Sequence, residues 1–281
     1  MKTKKIKFLA IAFTLILGIS FTSCLNSDND TTATRPFFAK VYSSYGGYYF
    51  KTADGVTITP TTTSIANWEA TNKVQLSSYM NQFVFIVVTW DTSLVTVPDN
   101  SKSITNVDFG GLLPFDGTAE VVENKGASND SISNAPIISL ESSTSNTKPY
   151  FFDATTLILP VDYYMNAKYH YFTLVYYPDE QVNGGPLTLY LRHNNKGDSG
   201  TSTSSLNYAN QSAYNYGYLR LLYKDFDLTR IFQAYKDKTG VSVAPTKVNV
   251  VTAENPYSIS LSDSQTTQKT YTVEYKPTAA N

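Results

Sequence analysis

Cysteine and histidine are scarce in this chain of 281 residues, which contains one Cys and two His. The cysteine, Cys24, lies near the amino terminus, so the rest of the chain can form neither a disulfide nor a thiolate metal site, and Cys/His catalysis is excluded there. Without disulfides, the folded body depends on burial of its core. Only His170 and His193 can supply the acid/base and metal-binding chemistry that histidine provides near neutral pH.

Charge is also sparse, since charged residues make up 16% of the chain against about 25% in typical soluble proteins. Four of the lysines stand within the first seven residues, and without them 18 basic residues face 23 acidic ones, for a net charge of −5. An acidic body disfavours polyanions, so we expect no nucleic-acid partner. Polarity comes instead from 22 Tyr and from Ser/Thr-rich tracts.

A short apolar segment follows the cationic start of the chain. It covers residues 8–21, and these 14 residues are too few to span a bilayer, which takes about 20. The pattern is typical of a secretory signal peptide, which we predict over residues 1–23. Phe21-Thr22-Ser23-Cys24 has the form of a lipobox, so we predict that Cys24 is lipidated with diacylglycerol and a further acyl chain such as palmitate. An ordinary secreted protein with an incidental cysteine is the alternative.

Residues 24–36 lack apolar periodicity and are predicted to be a flexible tether that keeps the folded body near its membrane. A single acyl chain binds a bilayer only marginally, whereas two or three make the attachment durable. Asp28 and Asp30 lie close behind the cysteine, in a placement similar to signals that send lipoproteins of bacteroidete bacteria to the outer leaflet of the outer membrane. We therefore expect a lipid-anchored outer-membrane protein exposed at the cell surface, with the periplasmic face as the alternative.

Residues 37–122 have the pattern of a small β-barrel of five or six strands. Two β-prone runs within residues 48–59 flank a turn that contains glycine, which predicts a hairpin. Residues 83–90 are apolar on both alternating faces, as in a strand that closes a small barrel. Residues 119–122 are a weaker strand at the end of this unit. Turn-forming residues at 123–130 are predicted to link it to the next.

Residues 131–281 predict a second β unit, a sandwich with one inserted helix. In residues 187–193 the pattern alternates cleanly, so that Leu187, Leu189 and Leu191 face the core. The helix is predicted from an apolar stripe at helical spacing, with a capping residue before it and a glycine after it. Its residues are Asp227, Leu228, Ile231, Phe232, Tyr235 and Gly240. The predicted fold class is therefore all-β.

Several short motifs resemble the NigD-like lipoproteins of bacteroidete bacteria. The motifs are Ser23-Cys24-Leu25, the hairpin from Tyr48 to Gly55, the Asn129–Asn134 stretch and the Leu187–Asn194 strand. The resemblance implies an N-terminal OB-like barrel joined to a C-terminal β-sandwich, in a family without an agreed biochemical activity whose name comes from a bacteriocin locus. Two features depart from the family pattern. One is the helix near residues 227–239, and the other is the low number of acidic residues behind Cys24. Similarity to OB barrels does not imply nucleic-acid binding, because function depends on the residues of the site and not on the fold.

The candidates for catalysis are few. His170 lies in an aromatic run and is predicted to be a core histidine, whereas His193 ends a strand and could line a binding pocket at the loop end or simply cap the strand. No Gly-x-Ser-x-Gly elbow occurs. Carboxylates for glycoside hydrolysis cannot be paired from sequence. The Asn194–Asp198 stretch is better explained as a turn than as a calcium loop, so we predict no metal and no cofactor.

Tyrosine clusters are the more informative feature, because an aromatic face with a polar tip suits both sugar rings and protein interfaces. One cluster is Tyr42, Tyr45, Tyr48 and Tyr49, and the other is Tyr208, Tyr214, Tyr216 and Tyr218. Tyr214, Tyr216 and Tyr218 alternate and could share one sheet face, either as a binding surface or as filling for that face. Asp30-Thr31-Thr32 and Asp130-Ser131-Ile132 are similar to the sequon that bacteroidete bacteria use for O-glycosylation, with Thr31 and Ser131 as acceptors.

The leading hypothesis is a non-catalytic envelope lipoprotein that binds a glycan or an envelope protein and is held at the membrane by its N-terminal lipid. One alternative, a bacteriocin-locus accessory or immunity factor, follows from the family resemblance alone. The other, a carbohydrate-active enzyme, requires two acidic side chains that converge in one pocket.

Overall fold

The computed structural model describes residues 31–93, 102–123, 133–141, 147–165, 168–198, 222–241 and 245–275. The first part of the chain contains β1 (Thr32–Ser44), β2 (Gly47–Lys51), β3 (Thr57–Pro60), α1 (Thr62–Asn72), β4 (Phe83–Asp91) and β5 (Ser103–Pro114). The second part contains β6 (Thr118–Val121), β7 (Tyr150–Phe151), β8 (Thr156–Pro160), β9 (Tyr171–Tyr176), β10 (Leu187–Asn194), β11 (Tyr223–Asp227), α2 (Thr229–Thr239), β12 (Lys247–Glu254) and β13 (Thr267–Glu274).

The first five strands form a closed barrel in the order β1-β2-β3-β5-β4. β1 is long enough to pair with β2 at one end and with β4 along most of its length, which closes the barrel. Among the described strands of the barrel, β3 and β5 pair in parallel and the other neighbours pair antiparallel. With a helix between its third and fourth strands, this is the predicted OB-like arrangement.

The start of β1 corrects the predicted tether. Thr32 pairs with Asp91 and Pro36 with Val87, so the last part of the 24–36 segment belongs to the barrel. These residues lack apolar alternation because this end of β1 is held by its ladder with β4 and by surface contacts, including a 3.1 Å contact between the Thr34 and Thr89 hydroxyls. The predicted tether therefore cannot extend beyond residue 31.

The barrel core is apolar, and α1 packs against it. The buried core includes Phe50, Ile58, Val84, Ile86 and Val88. Trp68 of α1 lies edge-on to Phe109, with ring centroids 5.3 Å apart. The helix begins after Thr61, whose Oγ1 accepts a hydrogen bond from the Ser64 N–H at 3.2 Å, and it ends at Lys73 in a left-handed conformation. The sequence pattern did not predict this helix.

The second unit is a sandwich of two sheets around one core. A five-stranded sheet has the order β13-β12-β10-β9-β6, and a three-stranded sheet has the order β11-β8-β7. Leu187, Leu189 and Leu191 are buried as predicted, and they share a core with Leu157 of β8 and Phe226 of β11 from the other sheet. The all-β class with a barrel followed by further sheets is therefore confirmed.

The strand predicted over 119–122 lies in the second unit rather than in the barrel. β6 runs parallel to β9, with Thr118 opposite Thr173 and Val121 opposite Tyr176. The chain thus crosses from barrel to sandwich at residues 115–117, ahead of the predicted 123–130 linker, of which residues 124–130 lie outside the described ranges. Parallel pairing joins strands distant in sequence, so the local pattern does not reveal which sheet a short strand joins.

Helix α2 agrees with the prediction except at its start. Ile231, Phe232 and Tyr235 are buried, and Gly240 ends the helix with φ of 71°. Leu228 occupies the N-cap position, while the Asp227 Oδ1 accepts a hydrogen bond from the Thr229 N–H at 2.9 Å. The aspartate therefore still satisfies a backbone donor of the first turn.

An aromatic cluster joins the two units. Phe83 and Phe85 of the barrel share it with Phe152 and Ile158 of the sandwich, and Phe115 of the connecting segment lies between them. The Phe83 and Phe152 ring centroids are 4.8 Å apart. This shared apolar contact fixes the barrel against the sandwich, so that a cleft between them has defined walls.

Candidate binding cleft at the junction of barrel and sandwich

Most site residues predicted from the sequence lie outside the described ranges. This applies to Cys24, Tyr214, Tyr216, Tyr218 and Ser131. Thr31 is described and exposed, and its carbonyl accepts hydrogen bonds from the Thr92 N–H and Oγ1, each at 2.7 Å.

His193 is buried in the sandwich and does not line an open pocket. It is 3% exposed, and its ring stacks on Phe172 with centroids 4.6 Å apart. Its Nδ1 lies 2.9 Å from the Pro136 carbonyl oxygen and its Nε2 lies 2.8 Å from the His170 Nδ1. The His170 Nε2 in turn lies 3.1 Å from the Asp198 Oδ2. The two histidines, predicted separately, form one buried polar chain with Asp198.

The acceptors in this chain fix the direction of its hydrogen bonds. A carbonyl only accepts, so the His193 Nδ1 carries a hydrogen and donates it to Pro136. Burial, with repulsion from His170 and Lys224, lowers the pKa of His193 to about 3, so its Nε2 is an acceptor at neutral pH. The His170 Nδ1 must then donate to it. A neutral His170 with its hydrogen on Nδ1 would turn the lone pair of its Nε2 toward the Asp198 carboxylate, which also only accepts. The contact between these two atoms therefore requires one further proton, on His170 or on Asp198.

A second buried polar contact lies where the connecting segment meets the sandwich. The Lys224 side chain is 1% exposed, and its Nζ lies 3.2 Å from the Asp116 Oδ1. The Tyr169 hydroxyl donates to the Asp116 Oδ2. The Lys224 Nζ also lies 5.2 Å from the Phe172 ring centroid. These contacts tie Asp116, between β5 and β6, to the sandwich.

Asp225 follows Lys224 on β11 and points to the opposite side, as alternate strand residues do. Burial raises the pKa of the Asp225 carboxyl to about 7, and repulsion from Asp116 acts in the same direction, while Lys40 and Lys224 oppose it. Near neutral pH this carboxyl is therefore partly protonated.

An open cleft of about 490 Å³, with both polar and apolar surface in its lining, lies between the two units. Lys40, Tyr42 and Asn81 line it from the barrel. From the sandwich it is lined by the Asp153–Thr155 turn, Asp227 and Thr229. The Leu228 N–H donates to the Thr155 carbonyl at 2.8 Å, which holds the start of α2 against that turn. Clefts of this size between structural units are where small ligands usually bind.

A partly buried ion pair in the lining of this cleft spans the junction. The Lys40 Nζ lies 2.6 Å from the Asp153 Oδ2, and the Lys40 side chain is 10% exposed. The Asp153 Oδ1 accepts hydrogen bonds from the Thr155 and Thr156 N–H groups at 2.9 and 2.8 Å. Burial alone would raise the pKa of Asp153, but the Lys40 and backbone hydrogen bonds lower it below its ordinary value. Asp153 therefore stays ionised and paired.

Two further side chains are held in position around the cleft. The Tyr42 ring stacks on Tyr49, with centroids 5.4 Å apart and an interplanar angle of 18°. Burial, with repulsion from Asp153, raises the pKa of Tyr42, so its hydroxyl is neutral. The Asp227 Oδ1 accepts a hydrogen bond from the Thr229 Oγ1 at 2.6 Å. The cleft thus presents a phenol, hydroxyls, an amide and a carboxylate.

Of the residues that line this cleft, sequence reasoning named Tyr42 within its first tyrosine cluster and Asp227 as a helix cap, but it did not bring them together in one site. Of that cluster, Tyr45 lies fully exposed at the tip of the β1-β2 hairpin, away from the cleft lining. Lys40 and Asp153 are far apart in sequence, and no local pattern joins them. A charge inside a barrel strand is the one signal that could have marked Lys40.

The described residues show neither a metal-binding cluster nor a membrane-spanning helix. They contain no group of three or more His, Cys, Asp or Glu arranged to hold a metal ion. Within the same residues, every helix is too short or too polar to cross a membrane.

Comparison with known proteins identifies structures with the same architecture. No family model matches this chain, and no curated protein matches it. Among solved structures, a candidate lipoprotein from Bacteroides fragilis superposes with a TM-score of 0.62 at 25% identity, over 87% of this chain and 99% of that chain. A protein of unknown function from Bacteroides vulgatus superposes with a TM-score of 0.50 at 14% identity, over 88% of this chain and 93% of that chain.

A NigD-like immunity protein from Bacteroides caccae is also among the similar structures, with a TM-score of 0.48 and 12% identity over 85% of this chain and 92% of that chain. The superposition on the candidate lipoprotein from Bacteroides fragilis covers both units, so barrel and sandwich recur together.

Proposed function

We propose that this chain is a membrane-anchored, non-catalytic lipoprotein of the cell envelope whose binding site is the cleft between barrel and sandwich. The observation that carries the proposal is the cleft itself: both units contribute polar side chains to its lining, and the Lys40–Asp153 ion pair joins its two sides. A ligand in it would touch both units at once. The shared aromatic cluster at the junction holds the two units together, which suits a ligand that contacts both.

Binding explains the cleft better than catalysis does. Asp153 and Asp227 both line it, so two carboxylates do share one pocket, as a carbohydrate-active enzyme would require. A general acid must keep its proton near working pH. Asp153 cannot, because Lys40 and two backbone N–H groups occupy its oxygens and lower its pKa. The same contacts make it unsuitable as a nucleophile.

Anchoring is supported by the lipobox at Cys24 and by the likeness to the candidate lipoprotein from Bacteroides fragilis. We place the lipid in the outer membrane with the folded body facing outward, on the evidence of Asp28 and Asp30 behind the cysteine. The strand β1 begins at Thr32, so only a short segment separates the anchor from the barrel. The cleft then works close to the membrane, on a glycan or a protein of the envelope.

The anchor is tested by labelling cells with radioactive palmitate and separating membranes from medium. Wild-type protein should be labelled and sediment with outer membranes, and Cys24→Ala should be unlabelled. Protease added to intact cells should degrade the wild-type body if it faces outward. Unlabelled wild-type protein in the medium would contradict the proposal.

The cleft is tested by capture of ligands from outer-membrane extract. Thr229→Trp places a bulky ring in the cleft and should abolish capture, whereas Lys238→Trp, exposed on the same helix, should not. Equal capture by both variants would mean that binding occurs elsewhere. Hydrolysis of any captured glycan by the wild type, lost in Asp227→Asn, would show that the protein is an enzyme.

A further inference from the structure

We propose that the junction cleft takes a neutral saccharide, an inference that rests on the proposed function and names its ligand class. Tyr42, Thr155 and Thr229 carry hydroxyls, Asn81 carries an amide, and Asp227 carries a carboxylate, all on the cleft surface. Sugar hydroxyls both donate and accept hydrogen bonds, so they can pair with each of these groups. A purely apolar ligand would leave these groups without partners and lose affinity.

The charges of the cleft disfavour an anion. Among the described residues, Lys40 is the one cation that lines the cleft, and its ammonium lies 2.6 Å from the Asp153 Oδ2. This pair is neutral as a unit, which leaves the carboxylate of Asp227 as the net charge of the lining. An acidic sugar or a phosphate would be repelled by it, whereas a neutral hydroxyl can donate to it in a charge-assisted hydrogen bond.

The binding groups are held before any ligand arrives. Tyr42 is stacked on Tyr49, and the Thr229 hydroxyl and N–H fix the Asp227 carboxylate. The Asn81 N–H donates to the Val41 carbonyl at 2.9 Å, which places Asn81 beside β1 between Lys40 and Tyr42. Groups that are already ordered lose little conformational entropy on binding, so a weakly hydrophobic ligand such as a sugar can still bind.

The cleft has room for a short oligosaccharide. Its volume of about 490 Å³ lies within the range of ordinary small-ligand sites, about 300 to 1,000 Å³. It is open to solvent at its rim, where Asp227 and Thr229 are exposed. A longer glycan could therefore enter by one end and extend outward.

The test is titration calorimetry of the whole mature protein against defined probes. The neutral probes are cello-, malto-, manno- and xylo-oligosaccharides, the anionic probe is oligogalacturonate, and the cationic probe is oligolysine. We expect at least one neutral probe to bind and oligogalacturonate not to bind. Asp227→Asn keeps the acceptor for Thr229, and Tyr42→Phe keeps the stacked ring, so each should fold while weakening binding at least about tenfold. Tyr45→Ala, at the hairpin tip, should bind as the wild type does.

The outcomes separate this inference from the proposed function. If no neutral probe binds, or if only oligolysine or oligogalacturonate binds, the ligand class is wrong. The proposed function still stands in that case if the wild type captures a partner from outer-membrane extract and Thr229→Trp does not. If a neutral probe binds equally well to wild type, Asp227→Asn and Tyr42→Phe, the saccharide site lies elsewhere and this assignment is overturned. Circular dichroism of each variant confirms that the fold is intact before binding is compared.

Discussion

The barrel and the sandwich bury their polar side chains very differently. Among the described residues, the barrel has one buried polar or charged side chain, Lys40, and it points to the junction rather than into the barrel core. The sandwich buries many, among them His170, His193, Asp198 and Lys224. A closed barrel satisfies its backbone groups through its own ladders. In the sandwich, loops and strand ends must also be held in place, and hydrogen bonds between buried polar side chains hold them.

This difference predicts different responses to mutation and to pH. Truncating an apolar side chain in the barrel removes buried area, and that loss does not depend on protonation. In the sandwich, a buried donor or acceptor that loses its partner pays its desolvation cost, and titratable groups make stability depend on pH. The junction shares both properties, since it combines an aromatic cluster with Lys40, Asp153 and Asp225.

The largest effect is expected where barrel and sandwich are joined. A Cβ on Gly117 would lie 2.3 Å from the Asp225 carbonyl oxygen and 2.9 Å from a ring carbon of Phe226. Backbone cannot move aside as a flexible side chain can, so Gly117→Ala should lower the free energy of unfolding by more than about 4 kcal/mol. Gly111→Ala in β5 meets nothing within 4 Å and is the control. Urea denaturation measures both, and similar midpoints would refute the close approach.

The next effect tests the buried polar chain of the sandwich. His193→Phe keeps the ring that stacks on Phe172 but leaves the Pro136 carbonyl and the His170 Nδ1–H without partners. At pH 7 it should cost about 2 to 4 kcal/mol. His193 has a folded pKa of about 3 and an unfolded one of about 6.5. The unfolded chain therefore gains a proton first as pH falls, and wild-type stability drops below about pH 6.5.

The difference in the free energy of unfolding between wild type and His193→Phe should consequently become smaller from pH 6.5 to pH 4, because the variant lacks the His193 titration. Val88→Ala in the barrel is the matched control, and its cost should be constant across the same range. Denaturation curves at several pH values decide the matter. A constant gap for His193→Phe would show that this histidine is not held neutral in the folded protein.

Sequence reasoning predicted those parts of the fold that local pattern determines. The Tyr48–Gly55 hairpin has a turn signal, residues 187–193 alternate, and α2 has a full apolar stripe, and all three are present. Helix α1 was missed because Ile65 is its one buried residue and its other positions show no helical apolar period. It forms because Thr61 caps it and Trp68 packs on Phe109, and the second of these is a tertiary contact.

The candidate site was harder to predict than the fold, because its members meet only after folding. Lys40, Asp153 and Asp227 come from three distant segments that the junction brings together. The sequence predicted a core position for His170, and for His193 it gave a loop-end pocket and a strand cap as alternatives. Its partner atoms, His170 and the Pro136 carbonyl, lie far from it along the chain, so no short-range pattern could reveal the buried chain.

A substitution at the junction, Asp225→Asn, is expected to raise the free energy of unfolding, by less than the preceding substitutions lower it. Asp225 has a folded pKa of about 7, above the value of about 3.9 for an unfolded aspartate. The folded protein therefore holds this proton more tightly, and the stability it contributes is lost as pH rises through 7. Asp225→Asn removes the titration and should stabilise the protein by about 1 to 2 kcal/mol at pH 8, with little change at pH 4. Thermal unfolding at both pH values measures it, and an equal effect at each would exclude titration as the cause.

The smallest effect is expected from the barrel unit, in the helix cap of α1. It tests whether polar groups stabilise this unit only through hydrogen bonds at its surface. The Thr61 Oγ1 accepts a hydrogen bond from the Ser64 N–H at 3.2 Å and caps α1, while the N-cap of α2 is Leu228, which has no such group. Thr61→Ala should lower the free energy of unfolding by about 1 kcal/mol. Because a neutral cap does not titrate, the loss should be the same at pH 5 and pH 8. Thr61→Ser retains the acceptor and should recover most of it. A loss that varied with pH would mean that the stability of the barrel, too, depends on a titrating group.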